Sequence, residues 1–191
     1  MQDFSIFDLI IITINLINLI KINKINKMTQ KQLENLALNQ GIPNIYKACD
    51  TIEGLEESLS ALLYDDHNFK NYEIIYLVME GENNNICIYD YYYSLDEIAE
   101  LFEGKMKGKI IHFANSKTLE LTNDQAQFFL DVTGAKAISG YGEKFSNLKS
   151  YQLDQLFFKL FQDNDNIEEV VETLFEKNYA LCKLLDFRLY Y

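Results

Sequence analysis

Short apolar runs rich in β-branched residues alternate with amphipathic stretches along most of this chain. Ile45–Ala48, Glu73–Met79 (EIIYLVM), Ile86–Tyr89 (ICIY), Lys109–Ala114 (KIIHFA) and Ala135–Ser139 (AKAIS) are bounded by turn residues and predict strands. Capping boxes at Thr29/Gln32, Asp50/Glu53, Ser94/Glu97 and Thr122/Gln125 set helix starts between them: a short acceptor precedes an acid or amide that can reach back to the free N–H. Helices over Leu55–Tyr64 and Ile98–Phe102 follow, and Gly104 and Gly134 stand where C-terminal caps belong. Further on, Leu153, Leu156, Phe157 and Leu160 fall at helical spacing, and Ile167, Val170, Val171, Leu174 and Phe175 do so again after the cap Asn166.

Strands alternating with helices predict an α/β domain, a three-layer α/β/α sandwich with a mostly parallel sheet. One departure is expected at Asn83-Asn84-Asn85, a polar turn that predicts a hairpin. No Gly/Pro/Ser-rich linker divides residues 29–191, which read as one domain.

Residues 1–28 are set apart as an apolar leader. The stretch 4–20 approaches the length of a membrane span, but Asp8, Asn15 and Asn18 interrupt it. Acids precede it and Lys21, Lys24 and Lys27 follow it, the reverse of a secretory signal. Its nine Ile and four Asn, with no Ala, Gly, Val, Pro, Arg or Glu, fit the translation of an A/T-rich leader upstream of a start at Met28. A genuine anchor or amphipathic segment is the second reading, an ordered helix the third, so membrane contact is expected only if residues 4–20 are genuine.

The whole chain has 17 Lys+Arg against 29 Asp+Glu, a net charge of −12, which excludes a phosphate-backbone binder and so a nucleic-acid partner. Three scattered cysteines supply neither a disulfide framework nor a zinc cage, and no metal or other cofactor is expected.

In an open α/β sheet, ligands gather at the carboxyl ends of the strands. That rule selects Cys49-Asp50, Glu80-Gly81-Glu82, Asn115-Ser116 and Gly140-Tyr141-Gly142 as a candidate binding crevice. The run Tyr76-Leu77-Val78-Met79-Glu80-Gly81-Glu82, the run Ile110 to Leu119 (IIHFANSKTL) and the run Ala137-Ile138-Ser139-Gly140-Tyr141-Gly142 follow one another in a telling order. From about Gly41 to Phe161 the chain resembles small bacterial caspase-like domains related to the CHAT proteases. That resemblance implies a His-Gly pair after the first strand, a hairpin and a helix next, a nucleophilic Cys after the following strand, and a Gly-containing loop beyond. It also implies a caspase-like fold.

Glu80 stands at the position of the family's general-base His, and Ser116 at that of its nucleophilic Cys. A serine hydroxyl depends on an adjacent base far more than a thiol does. A carboxylate of ordinary pKa accepts a proton from an alcohol poorly. The expectation is therefore a bacterial, cytoplasmic pseudoenzyme that keeps its crevice for binding or regulation, with a hydrolase using Ser116 and Glu80 or Glu82 as the alternative.

Other chemistry is weaker on paper. Cys87 and Cys182 read as buried thiols, His112 as pointing into a helix–sheet layer, and His67 as part of a solvated turn. Asp50 with Glu80 suggests a phospho-receiver pocket but lacks its lysine, and a nucleotide hydrolase lacks a phosphate loop. Thirteen Tyr and no Trp, with Tyr91-Tyr92-Tyr93 after the hairpin, point to a protein or peptide partner there; shielding of the hairpin edge is the competing reading.

Overall fold

The computed structural model describes residues 8–14, 31, 34–65, 69–143 and 147–191, with the side chains of 8–14, 115, 116 and 147–149 left out. Strand β1 (Asp8–Ile14) is followed by a helical segment α1 over residues 34–40, β2 (Asn44–Cys49), α2 (Ile52–Asp65) and β3 (Tyr72–Val78). A meander of β4 (Glu80–Glu82), β5 (Asn85–Ile88) and β6 (Tyr91–Ser94) leads into α3 (Leu95–Leu101), β7 (Ile110–Lys117), α4 (Asn123–Thr133) and β8 (Ala137–Tyr141). Two longer helices, α5 (Asn147–Asp163) and α6 (Ile167–Leu185), precede a final strand β9 (Phe187–Tyr190).

The sheet runs β2-β1-β3-β7-β8-β9, parallel except for β9, while β4 continues from β3 and carries β5 and β6 as antiparallel additions. Ile75, Leu77, Ile111, Phe113 and Ile138 point to one face, where they meet Leu55 and Leu59 of α2, Ile98 of α3 and Phe129 of α4. Ile74, Tyr76, Val78, Ile110 and Ala114 point to the other, against Leu36, Leu153, Phe157 and Phe158, and Val170 and Leu174. These two cores, one on each side of a mostly parallel sheet, make the three-layer α/β/α architecture.

The stretch set apart as a leader enters this sheet. Residues 8–14 are neither a helix nor a span: β1 pairs parallel with β2 (Ile10 opposite Ile45) and with β3 (Ile10 opposite Ile75). The sequence DLIIITI is what an inner parallel strand looks like, an unbroken β-branched run rather than an alternating one. The remainder of residues 1–28 and the box at Thr29/Gln32 lie outside the described residues. Among those described, no helix is long and apolar enough to cross a membrane.

Most local signals hold elsewhere, although α3 is capped at Phe102 and Gly104 lies two residues beyond. Complete capping boxes close the starts of α3 (Ser94/Glu97) and α4 (Thr122/Gln125), and the bonds from Ser94 hold the Glu97 carboxyl below its usual range. Gly134 caps α4 in the left-handed region at φ 73°. At α2 the cap moves by one residue: Thr51 Oγ1 accepts from Gly54 N at 3.0 Å, in place of the Asp50/Glu53 pair. Ahead of β3, the buried Lys109 Nζ donates to the carbonyls of Phe69 (2.7 Å) and Tyr72 and sits 4.6 Å over the Phe69 ring. That clip ties a short 3-10 turn, Phe69–Asn71, to the start of β7.

Two tight turns build the meander. Asn83 and Asn84, at φ 51° and 61°, form the predicted one, because a two-residue turn matched to strand twist needs both central residues left-handed. Tyr89 and Asp90, at φ 49° and 65°, form a second that tyrosine does not advertise. The Asn84 side chain also accepts from Glu120 N (2.7 Å) and donates to Glu120 O (3.0 Å), pinning the first turn to the loop after β7.

Candidate functional site

The carboxyl ends of β3, β7 and β8 lie side by side, and the residues singled out there divide into two groups. Val78 pairs with Ala114 and Glu82 with Lys117, and these two pairs bracket Glu80 on one strand and residues 115 and 116 on its neighbour. Lys117 in turn pairs with Tyr141, which brings Gly140-Tyr141 to the far side of β7. Glu80 is half-buried and Glu82 exposed. The side chains of Asn115 and Ser116 lie outside the described atoms; only their place in β7 is fixed.

Cys49 and Asp50 do not join them. They end β2, and β1 and β3 separate β2 from β7. Recognising β1 is what corrects the expectation: without it, β2 would neighbour β3. Cys49 is buried, and burial together with the Asp50 charge pushes its thiol up to about 12, so it is neither anionic nor exposed at neutral pH.

The glycines are there for packing. A Cβ on Gly81 would press on the Asn85 carbonyl and stand 2.7 Å from Thr118 Oγ1, and one on Gly140 would stand 2.9 Å from the Phe113 carbonyl. Each lets a neighbouring backbone approach. Tyr141 does not face a crevice: it is 1% exposed, with its ring turned under α5.

There it joins a buried polar cluster not anticipated as a unit. Asp154 of α5 is the hub: its carboxylate accepts from Tyr76 OH at 2.5 Å, from Tyr141 OH, and from His112 Nε2 at 2.8 Å. The other ring nitrogen of His112 lies 2.8 Å from Ser139 Oγ. Nε2 of His112 thus faces the Asp154 carboxylate and Nδ1 faces the Ser139 hydroxyl, so both ring nitrogens have a polar partner. Aromatic rings enclose it: Tyr76 stacks on His112 at 5.5 Å, and Phe157 lies at 5.4 Å. Burial and then the Asp154 charge hold the phenols of Tyr76 and Tyr141 well above the ordinary tyrosine range. His112 does point into the helix–sheet layer, as its mid-strand position predicts.

Ser139, His112 and Asp154 are the residue types of a hydrolytic triad, but the arrangement serves structure. In such a triad the serine meets Nε2 and the acid Nδ1; here the two are exchanged. Ser139, His112 and Asp154 are all fully buried, so no carbonyl reaches the hydroxyl. One signal could have found the hub. Asp154 precedes Phe157, Phe158 and Phe161 by three, four and seven residues, which puts an acid on the apolar face of its helix.

A model of a family of unknown function, DUF6642, matches residues 9–191. The chain belongs to this family. The match begins inside β1, so the DUF6642 domain includes the strand that the leader reading set apart. A comparison with curated proteins finds no match. Among the described residues of this DUF6642 member, no group of three His, Cys, Asp or Glu side chains could hold a metal ion. What the strand ends offer chemically is a carboxylate pair, Glu80 and Glu82, beside a β7 terminus that carries Asn115 and Ser116.

Proposed function

We propose that this chain is a caspase-like domain without peptidase activity, acting in the cytoplasm as a binding or regulatory module for a protein or peptide. The observation that supports the reading is that the pairs Val78–Ala114 and Glu82–Lys117 bracket Glu80 on one strand and Ser116 on its neighbour. These are the positions at which the resemblance expects a general base and a nucleophile. The order of elements supports it as well: an apolar strand, a hairpin, a helix, a second strand, a helix, and a third strand carrying Gly140.

Chemistry supports the absence of peptidase activity. A carboxylate of ordinary pKa is a poor acceptor of an alcohol's proton. Among the described residues, the cysteines are buried, Cys49 with its thiol at about 12, and His112 lies inside the aromatic cluster; His67 lies outside the described residues. The resemblance gives the crevice a peptide-sized occupant, and the two acids give it a negative rim.

Incubation of the full chain with a denatured proteome, followed by mass spectrometry of new N-termini, tests the reading. No cleavage above a buffer control is expected. Cleavage that disappears in Ser116→Ala would establish the hydrolase alternative, with Glu80 or Glu82 as its base.

A further inference from the structure

We propose that the outer edge of β6 is a docking strand for an extended basic peptide, which adds to the sheet beside Tyr91–Ser94 and lays a lysine or arginine against Tyr92. Among the described residues β6 pairs only with β5, so one row of its backbone donors and acceptors faces outward. The strand is held ready. A two-residue turn fixes its start, Leu95 N donates to Asn84 O at 2.9 Å at its end, and the Ser94/Glu97 box ties that end to α3. An ordered edge of this kind lowers the ordering cost of adding a strand.

Its composition is that of a surface meant to be covered. Exposed edges are ordinarily protected by Lys, Pro or a bulge; the sequence here is Tyr-Tyr-Tyr-Ser, with Tyr91 65% and Tyr92 58% exposed. Glu80, Cys87 and Tyr92 form one cross-strand row, since Glu80 pairs with Cys87 and Cys87 with Tyr92. Glu82 lies one step along on the same face, and Asp90 stands in the adjoining turn. The Tyr92 hydroxyl feels this field: Cys87, then Glu82 and Glu80, push its pKa up. On the opposite face, Glu53 and Glu97 lie near Tyr93.

That charge selects the occupant. Two copies pairing through β6 would bring two such acidic rims together on chains that each carry −12. A strand with alternating lysines instead offers ammonium groups both to the acids and to the exposed face of Tyr92. The inference shares Glu80 with the function proposed above but does not depend on lost catalysis; a chain that cut peptides could still bind them at β6.

The test uses the full chain and two labelled probes: a short peptide alternating lysine and valine, and its counterpart with glutamate for lysine. Fluorescence anisotropy should show binding of the lysine peptide only, weakened about tenfold or more by Glu82→Lys and by Tyr92→Ala, and weakened by added salt. Hydrogen exchange should show new protection of the β6 amides in the complex. Equal binding of both peptides overturns the proposal, as does binding without β6 protection. A dimer in sedimentation that Tyr92→Lys abolishes overturns it in favour of a second copy. Because the readouts are binding and protection, peptide cleavage by the unmodified chain would refute the proposed function and leave this inference standing.

Discussion

Asp154 Oδ1 in α5 lies 2.8 Å from His112 Nε2 in β7, and neither side chain reaches solvent. This contact helps fix how α5 sits on the sheet, and Tyr76 from β3 and Tyr141 from β8 donate to the same carboxylate. Three adjacent strands are thereby tied to one helix.

Removing the hub takes the acceptor from Tyr76 and His112 in an aromatic pocket and leaves Tyr141 only its 3.3 Å bond to the Ser150 carbonyl. Asp154→Ala should cost several kcal/mol of folding free energy, at about 1–3 kcal/mol for each buried donor left without a partner. Asp154→Asn, which keeps an acceptor, should cost less. Urea denaturation followed by circular dichroism measures both; equal small losses would mean that the cluster does not hold the helix.

Tyrosine ionisation gives the pH dependence. The folded-state pKa values of Tyr76 and Tyr141 are raised well above 10.0, by burial first and the Asp154 charge second. At pH above 10 the unfolded chain therefore releases protons that the folded chain keeps. The stability the two groups contribute is fully present below pH 10 and is lost as pH rises further, with a slope approaching about 1.4 kcal/mol per pH unit for each. Urea midpoints at pH 8 and pH 11 should fall less steeply with pH for Tyr76→Phe than for the unmodified chain. An unchanged slope would contradict a buried phenol there.

The integral place of β1 predicts that a chain starting at Met28 will not fold. Without residues 8–14, β2 and β3 each lose a parallel neighbour along nearly their whole length. Such a truncation should give insoluble or uncooperatively unfolding protein. A truncated chain with the full chain's unfolding midpoint would show that the strand is dispensable.

The thiols should be inert. All three cysteines are buried, with Cys49 at about 12 and Cys182 at about 11, both raised chiefly by burial. An aromatic disulfide reagent at pH 8 should label the native chain slowly and all three thiols once it is unfolded. Rapid native labelling at Cys49 would restore a cysteine nucleophile to consideration.

What could be read from the sequence was local. Ser94/Glu97, Thr122/Gln125, Gly134 and the Asn83-Asn84 turn announce themselves because capping and left-handed turns are decided within four residues. The strand cores at Glu73–Met79 and Lys109–Ala114 were legible for the same reason, and alternation with helices gave the α/β class. Strand β1 was not, because DLIIITI reads equally as the apolar part of a leader; only its neighbours β2 and β3 decide the matter. Strand order put the ends of β3 and β7 on neighbouring strands, whereas grouping Cys49 and Asp50 with them failed because β1 intervenes. The Asp154 hub was legible only as an acid on an apolar helix face; its partners His112 and Tyr76 lie 42 and 78 residues away, where no local pattern names them.

The measurement that bears most directly on the account is a gain of activity. The full chain and its Glu80→His, Ser116→Cys double variant would each be incubated with a mixed proteome, and new N-termini counted by mass spectrometry. On the proposed reading, supplying an imidazole and a thiol at these two positions on neighbouring strands should yield cleavage by the double variant alone. Cleavage by the unmodified chain, or a folded double variant that cuts nothing, would contradict the reading of Glu80 and Ser116 as the vacated positions of a caspase-like dyad.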